Sequence, residues 1–176
     1  MKVLTKIAGG IDEFNQLILR LVSWLALFMV LVQIFVVIMR YVFGTGSIQL
    51  QESIIYMHGI LFMLAAAGTL LADDHVRVDI FYRSMGPKKQ AAVNFFGCLV
   101  FLIPFCLLIL YTAQDYVSLA WRVREGSRET GGIQAVYLLK TVIPIMAGLL
   151  LLQAVSLLLK AVNTLMSGDV TKEKGV

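Results

Sequence analysis

Charge is scarce in this chain. Only 15% of its 176 residues are charged, 59% are hydrophobic, and the mean hydropathy is +0.85. Soluble domains have an apolar share of roughly 45–50%. An ordinary water-soluble fold is therefore excluded, and the composition indicates a protein of the lipid bilayer.

No Asp, Glu, Lys or Arg occurs in four long windows, 21–39, 53–72, 91–111 and 141–159. Each window is close to the roughly 20 residues with which a helix crosses a hydrocarbon core about 30 Å thick. A helix satisfies its own backbone hydrogen bonds in lipid, and these unbroken windows do not alternate as barrel strands do. The sequence predicts an all-α integral membrane protein, a single domain of residues 1–176 with four transmembrane helices.

Cysteine and histidine are also rare, with two of each. Cys98 and Cys106 are about 12 Å apart along a helix, beyond the roughly 7 Å limit for a disulfide, and there is no CxxC motif. A thiol oxidoreductase and a cysteine zinc site are therefore disfavoured. His58 and His75 are about 25 Å apart along the same helix direction, which excludes a haem held by both in one chain.

The positive charges are unequally divided between the two ends of the predicted helices. With four spans, the termini and the second connection share one side, and that side holds ten of the fifteen Lys and Arg residues. Because positive charge is retained in the cytoplasm, we expect both termini there. No apolar core precedes Gly9 and Gly10, so we expect the first span to act as the insertion signal, and the tail 167–176 to be flexible.

The excess of positive charge gives a net charge of +4. Most of it falls where anionic lipid headgroups would meet it, so it requires no nucleic-acid partner.

The stretch 71–82, LADDHVRVDIFY, places several charges directly behind the second window. A metal or proton site is one interpretation, but crowding alone does not create a convergent ligand shell. An ion-pair cluster in an extended or helical segment, which anchors the second and third helices at the cytoplasmic interface, is the favoured interpretation. The cluster consists of Asp73, Asp74, His75, Arg77 and Asp79.

Two connections are predicted at the opposite end of the helices. Arg40 ends the first span and Glu52 begins the second, so we predict an ion pair between them across a tight hairpin. The alternative is that both side chains extend into the lipid headgroups.

The long connection between the third and fourth windows contains Tyr116, Trp121 and Tyr137, residues typical of a membrane interface, and the polar turn 124–132. This turn is the predicted contact surface for a soluble partner, and a solvated loop is the alternative. The candidate contact residues are Arg124, Glu125, Ser127, Arg128 and Glu129.

Features within the windows indicate helix packing. Ala65, Gly68 and Ala72 would allow close approach by a helix of a partner subunit, and Pro104 and Pro144 predict kinks. His58 is the one candidate in the windows for proton coupling; a neutral, hydrogen-bonded packing role is the favoured alternative.

Several short segments together resemble one family. They are MRYVFG at 39–44, LQES at 50–53, DDHVRVDIFY at 73–82, and the glycine pair 131–132 followed by LLKTVIPI at 138–145. In order and spacing they are similar to the small membrane subunit, the DctQ component, of tripartite ATP-independent periplasmic (TRAP) transporters. The resemblance extends from about residue 17 to residue 159.

The resemblance implies a non-catalytic subunit of the bacterial inner membrane. In this family a periplasmic binding protein captures a small solute, usually an organic acid, and delivers it to a large membrane subunit. The large subunit holds the sodium and substrate sites, so no cofactor is expected on this chain. The small subunit acts as a scaffold for the large one and helps to dock the binding protein.

Two other classes remain as alternatives. A self-associating small exporter would use His58 as its coupling residue, and a membrane electron-transfer protein would absorb visible light when purified.

Overall fold

A computed structural model describes residues 2–73, 82 and 84–167, and within these residues every regular element is helical. The elements are α1 (Lys2–Tyr41), α2 (Ile48–Leu71), α3 (Pro87–Gly97), a π-helical turn (Cys98–Leu102), α4 (Ile103–Arg122) and α5 (Val136–Ser167). The helix α3, the π-helical turn and α4 are continuous. Four helices are thus long and apolar enough to cross a membrane, which confirms the predicted all-α architecture with four spans.

The helices extend beyond the charge-free windows, most of all at the start of the chain. The first window begins at residue 21, but α1 begins at Lys2 and continues through Gly9 and Gly10. A window that stops at the first charged residue marks the apolar part of a helix and not its ends. The predicted flexible tail 167–176 lies outside the described residues, except for Ser167, which ends α5.

Local sequence explains two of the helix starts. Ser47 precedes α2 in an extended conformation, and its side chain accepts a hydrogen bond from the Leu50 N–H at 3.4 Å, as N-cap residues do. Pro87 occupies the first turn of α3, where the missing N–H costs no helical hydrogen bond.

The two helix-interior prolines lie in different local structures. Pro104 cannot donate to the helix ladder, and its ring would collide with the carbonyl four residues earlier in a regular α-helix. Directly before it, the Ile103 N–H bonds to the Cys98 carbonyl, five residues back, so the chain relaxes into a π-helical turn. Pro144 lies inside α5, which continues through it.

At the end of the bundle where α1 begins and α5 ends, called here the termini end, polar side chains join these two helices. The Lys160 ammonium lies 2.6 Å from Asp12 Oδ2, and the Ser156 hydroxyl donates to Asp12 Oδ1 at 2.6 Å. Gln153 donates to the same oxygen at 3.0 Å and accepts from the Asn15 amide at 2.7 Å. We call these five residues the Asp12 cluster; it shows that both helix termini lie at the same end.

The core lies around α5, which contacts α1, α2, α3 and α4. Ala67, Cys106, Leu149 and Leu150 form its buried centre. Ala147, Ala154 and Ala161 of α5 are buried as well, and such small side chains allow helix backbones to approach closely, as is usual in membrane bundles.

The predicted role of the small residues in α2 is corrected by this packing. Gly68 is buried against α1 of the same chain, where an added Cβ would lie 2.7 Å from the Cβ of Leu19. Ala65 is half-buried and Ala72 is exposed. The glycine therefore closes the hairpin of α1 and α2 and does not present a free surface to another subunit.

We predict that Gly68→Ala destabilises the chain. The new methyl group meets a Cβ atom, which cannot move away without a shift of α1, and such overpacking costs about 1–3 kcal/mol. Thermal unfolding of the detergent-solubilised chain, followed by circular dichroism, measures the effect. Gly148→Ala in α5 is the matched control, because a Cβ there meets nothing within 4 Å and helix propensity improves by up to about 1 kcal/mol. Equal stability of the two variants would contradict the prediction.

Candidate functional site

Residues 123–135 form the loop that joins α4 to α5, and backbone hydrogen bonds fix the conformation of its first residues. Arg124 adopts a left-handed conformation with φ +48°. The Glu125 N–H bonds to the Ala120 carbonyl at 2.9 Å and the Arg124 N–H to the Trp121 carbonyl at 3.3 Å. This pair of bonds is the Schellman motif, which satisfies the last carbonyls of α4 and turns the chain across the end of the bundle.

Glu52, near the start of α2, forms hydrogen bonds with this loop. One carboxylate oxygen accepts a hydrogen bond from the Ser127 hydroxyl, and the other accepts the Ile133 N–H at 2.6 Å. The Ser127 N–H in turn bonds to the Ile133 carbonyl at 3.2 Å. The carboxylate thus joins the two sides of the loop, and we call Glu52, Ser127 and Ile133 the Glu52 site.

A glycine makes room for the Glu52 site. A Cβ at Gly132 would lie 2.7 Å from Glu52 Oε1 and would collide with the Ser127 side chain. The close approach of the loop backbone to the carboxylate therefore requires a residue without a side chain at this position.

Aromatic and charged side chains connect the end of α4 to the start of α5. Trp121 packs edge-on against Tyr137, with ring centroids 4.7 Å apart, and its indole N–H donates to the Thr141 hydroxyl at 2.9 Å. Lys140 pairs with Glu125 at 2.5 Å and lies 4.0 Å from the Tyr116 ring centroid. A cation so placed gains from the negative face of the ring as well as from its ion pair.

The five predicted contact residues divide into two groups. Glu125 and Ser127 are half-buried and are bonded to Lys140 and Glu52, and the guanidinium of Arg124 lies 5.6 Å from the Tyr137 ring centroid. Arg128 and Glu129 are exposed at the tip of the loop. The first group fixes the shape of the loop. A partner could reach the second group and also Arg124, whose side chain is exposed.

Residues 29–164 match the family model of the DctQ component of tripartite ATP-independent periplasmic transporters. The chain belongs to this family. It is a small permease subunit of a TRAP transporter and a multi-pass membrane protein. Comparisons with curated proteins and with solved structures returned no match. The matched range begins within α1 and ends within α5, so it includes the whole Glu52 site and its loop.

In this DctQ chain the predicted ion pair between Arg40 and Glu52 does not form. Both oxygens of Glu52 are engaged by the loop, and no described residue forms an ion pair with Arg40. Arg40 lies instead beside a groove between α1 and α2. The correction has a simple reason: the carboxylate satisfies both oxygens with donors from a distant loop, which sequence adjacency could not indicate.

The predicted cluster behind α2 is only partly within the described residues. Asp73 follows α2 in a left-handed conformation with φ +61°. Asp74, His75, Arg77 and Asp79 lie outside the described residues, so their role as an interface anchor stays a prediction.

His58 lies on the exposed surface of α2, near the middle of the span. Its ring is stacked on that of Phe62, with centroids 6.3 Å apart and an angle of 7° between the planes. No described residue forms a hydrogen bond with its side chain. The expected hydrogen-bonded packing role within this chain is therefore not what the structure shows.

The Asp12 cluster was not among the predicted sites of this DctQ chain. A signal was present: Asp12 and Asn15 are three residues apart, and Gln153, Ser156 and Lys160 follow at spacings of three and four, so each set lies on one helix face. Pairing the two faces required two facts that the sequence alone did not provide: α1 extends back to Lys2, and it packs directly against α5.

We predict that Glu52→Gln loosens the α4–α5 loop without unfolding the bundle. The glutamine side chain has one acceptor oxygen, and its NH₂ group would face one of the two donors of the loop. The Ile133 N–H therefore loses a hydrogen bond to a charged acceptor, which contributes about 1.5–3 kcal/mol. Hydrogen–deuterium exchange of the loop amides should accelerate roughly tenfold or more. Glu129→Gln, which makes the same charge change at the exposed tip, should leave exchange at Ile133 unchanged. An unaltered rate in Glu52→Gln would show that the carboxylate does not hold the loop.

Proposed function

We propose that this chain is the scaffold subunit of a sodium-coupled TRAP transporter that takes up a small organic acid through the bacterial inner membrane. It acts without catalytic chemistry of its own. The large membrane subunit holds the sodium and substrate sites, and a periplasmic binding protein delivers the solute. The observation that carries the proposal is the match of residues 29–164, most of the chain, to the DctQ component.

The hydrogen bonds of the buried polar side chains support the role of a scaffold rather than that of a carrier. Within the described residues the fully buried polar side chains are Asn15, Gln153 and Ser156. All three belong to the Asp12 cluster, where they join α1 to α5. A substrate path would need polar groups that face a cavity between helices, whereas these groups are used to hold the bundle together.

We propose that the binding protein docks on the tip of the α4–α5 loop. In the orientation predicted from the Lys and Arg distribution, the termini are cytoplasmic and this loop faces the periplasm. The Glu52 site, the Schellman motif and the Glu125 ion pair fix the loop before any partner arrives, so docking orders little further backbone. Arg124, Arg128 and Glu129 are the exposed charged residues of the loop, and Arg128 and Glu129 lie at its tip.

We propose that the large subunit covers the face of α2 that contains Ile55, His58 and Phe62. These residues are exposed, with 61% of Ile55 and 72% of Phe62 accessible. An imidazole without a hydrogen-bond partner among the described residues would be unfavourable in hydrocarbon, and a neighbouring helix that supplies a partner removes that cost. This face replaces the Gly68 face as the proposed contact.

The first test is uptake by liposomes that contain the chain and its large subunit, with the binding protein added outside and an inward sodium gradient. We predict uptake only when all three proteins and the gradient are present. Arg128→Glu should raise the half-saturating concentration of binding protein by roughly tenfold at low ionic strength, because charges at the edge of an interface mainly steer encounter. Vmax should change little.

The matched control is Lys88→Glu, which makes the same charge change at the exposed start of α3, at the other end of the bundle. It should leave the half-saturating concentration unchanged. Uptake by the large subunit without this chain would contradict the scaffold role. Proton-coupled flux from this chain alone, lost in His58→Ala, would favour the small exporter instead.

The second test is co-purification with the large subunit. We predict that His58→Ala and Phe62→Ala each reduce the amount retained by about fivefold, as expected for a loss of roughly 1 kcal/mol at an interface. Phe101→Ala is the control, because Phe101 is 74% exposed on the π-helical turn, outside the proposed face. If only Phe101→Ala weakens retention, the large subunit contacts the third span and the assignment of the α2 face is wrong.

A further inference from the structure

A groove of about 480 Å³ runs between α1 and α2 at the end of the bundle that contains the α4–α5 loop. Its α1 wall is one helix face, because Gln33, Val37 and Arg40 follow at spacings of four and three. Its α2 wall includes Gln51 and Ile54. The groove lies where the span ends, since Arg40 is in the last turn of α1 and directly follows the charge-free window.

The cation in this groove is unpaired within the described part of the chain. No described residue forms an ion pair or a hydrogen bond with the Arg40 side chain, and no acidic side chain lines the groove. Glu52, the nearest acid in sequence, is occupied by the loop. A guanidinium with five donors at the membrane boundary therefore faces an opening that supplies it with no anion.

The walls of the groove are polar next to Arg40, and a band of apolar residues follows along the helix axis before Gln33, one turn deeper in α1. Tyr41 and Gln51 add hydrogen-bonding groups near Arg40, whereas Val36 and Val37 present hydrocarbon to the membrane interior. Val36 and Arg40 are four residues apart, about 6 Å along the axis. A cation and neutral polar groups at the membrane boundary, followed by the apolar band of Val36 and Val37, match an amphiphile that lies with its anionic head at Arg40.

We propose that this groove binds the head of one membrane phospholipid, whose phosphate pairs with the Arg40 guanidinium and whose acyl chain lies along Val36 and Val37. Arginine forms bidentate hydrogen bonds with phosphate, and this geometry favours binding of one defined phosphate over a non-specific contact with many headgroups. Because no acid lines the groove to receive an ammonium group, phosphatidylglycerol is bound more tightly than phosphatidylethanolamine. The site uses only residues of this chain, so its test requires neither the large subunit nor the binding protein.

Native mass spectrometry of the full chain in detergent tests the site, with each phospholipid titrated separately. One phosphatidylglycerol should bind with an affinity several-fold higher than that of phosphatidylethanolamine. Arg40→Gln should weaken phosphatidylglycerol binding by about tenfold, the loss expected for a charge-assisted bidentate pair, and Arg40→Lys should restore part of it. Val37→Trp, which fills the groove and keeps the charge, should also weaken binding.

Arg122→Gln is the matched control, because Arg122 is an exposed cation in the last turn of α4, at the same end of the bundle. Its phosphatidylglycerol affinity should equal that of the unaltered chain. Equal losses in Arg40→Gln and Arg122→Gln would show a non-specific charge effect and overturn the proposal. Displacement of the lipid by millimolar glycerol phosphate would show that a free anion and not the lipid is recognised, and would overturn it as well.

Discussion

A charged group at the end of a membrane helix must find its partners inside the protein or in the headgroups, and the bundle depends on how Asp12 meets this constraint. Its carboxylate forms an ion pair with Lys160 and accepts hydrogen bonds from Ser156 and Gln153, all three from α5. These bonds fix the long first helix to the last one, so the two ends of the chain close the bundle at one end. Removing one partner would leave a carboxylate with unmet hydrogen bonds, which is costlier than the absence of the whole cluster.

The same constraint organises the opposite end, where a carboxylate on a helix holds a loop. Glu52 is fixed because α2 is rigid, and the loop closes on it through one hydroxyl and one backbone N–H. The exposed tip then projects from a base that is bonded on both sides and bordered by Trp121 and Tyr137. A surface loop with so defined a shape can present its charges in one arrangement, and that is the property that specific recognition by a soluble protein requires.

The number and position of the spans could be predicted because hydrocarbon excludes charge so strongly that its absence marks each helix. The prediction for Pro104 as a site of distortion rested on local backbone chemistry, which does not depend on distant residues. The partner of Glu52 could not be predicted, since Ser127 and Ile133 are 75 and 81 residues away in the chain. Gly68 was assigned to the wrong neighbour for a related reason: a small residue indicates close packing but does not say which helix approaches.

The π-helical turn also sets which side of the third helix faces the bundle. The buried residues along this helix are Ala91, Cys98, Cys106, Ala113 and Ala120. They are spaced by seven, eight, seven and seven residues, so a seven-residue repeat of small buried residues contains one additional residue. The π-helical turn lies within the eight-residue interval. In an unbroken α-helix that residue would rotate everything after it by about 100° and turn Ala113 and Ala120 away from α5. The turn absorbs the insertion and keeps both halves of the repeat in phase, so the two cysteines mark where a seven-residue register is interrupted and resumed.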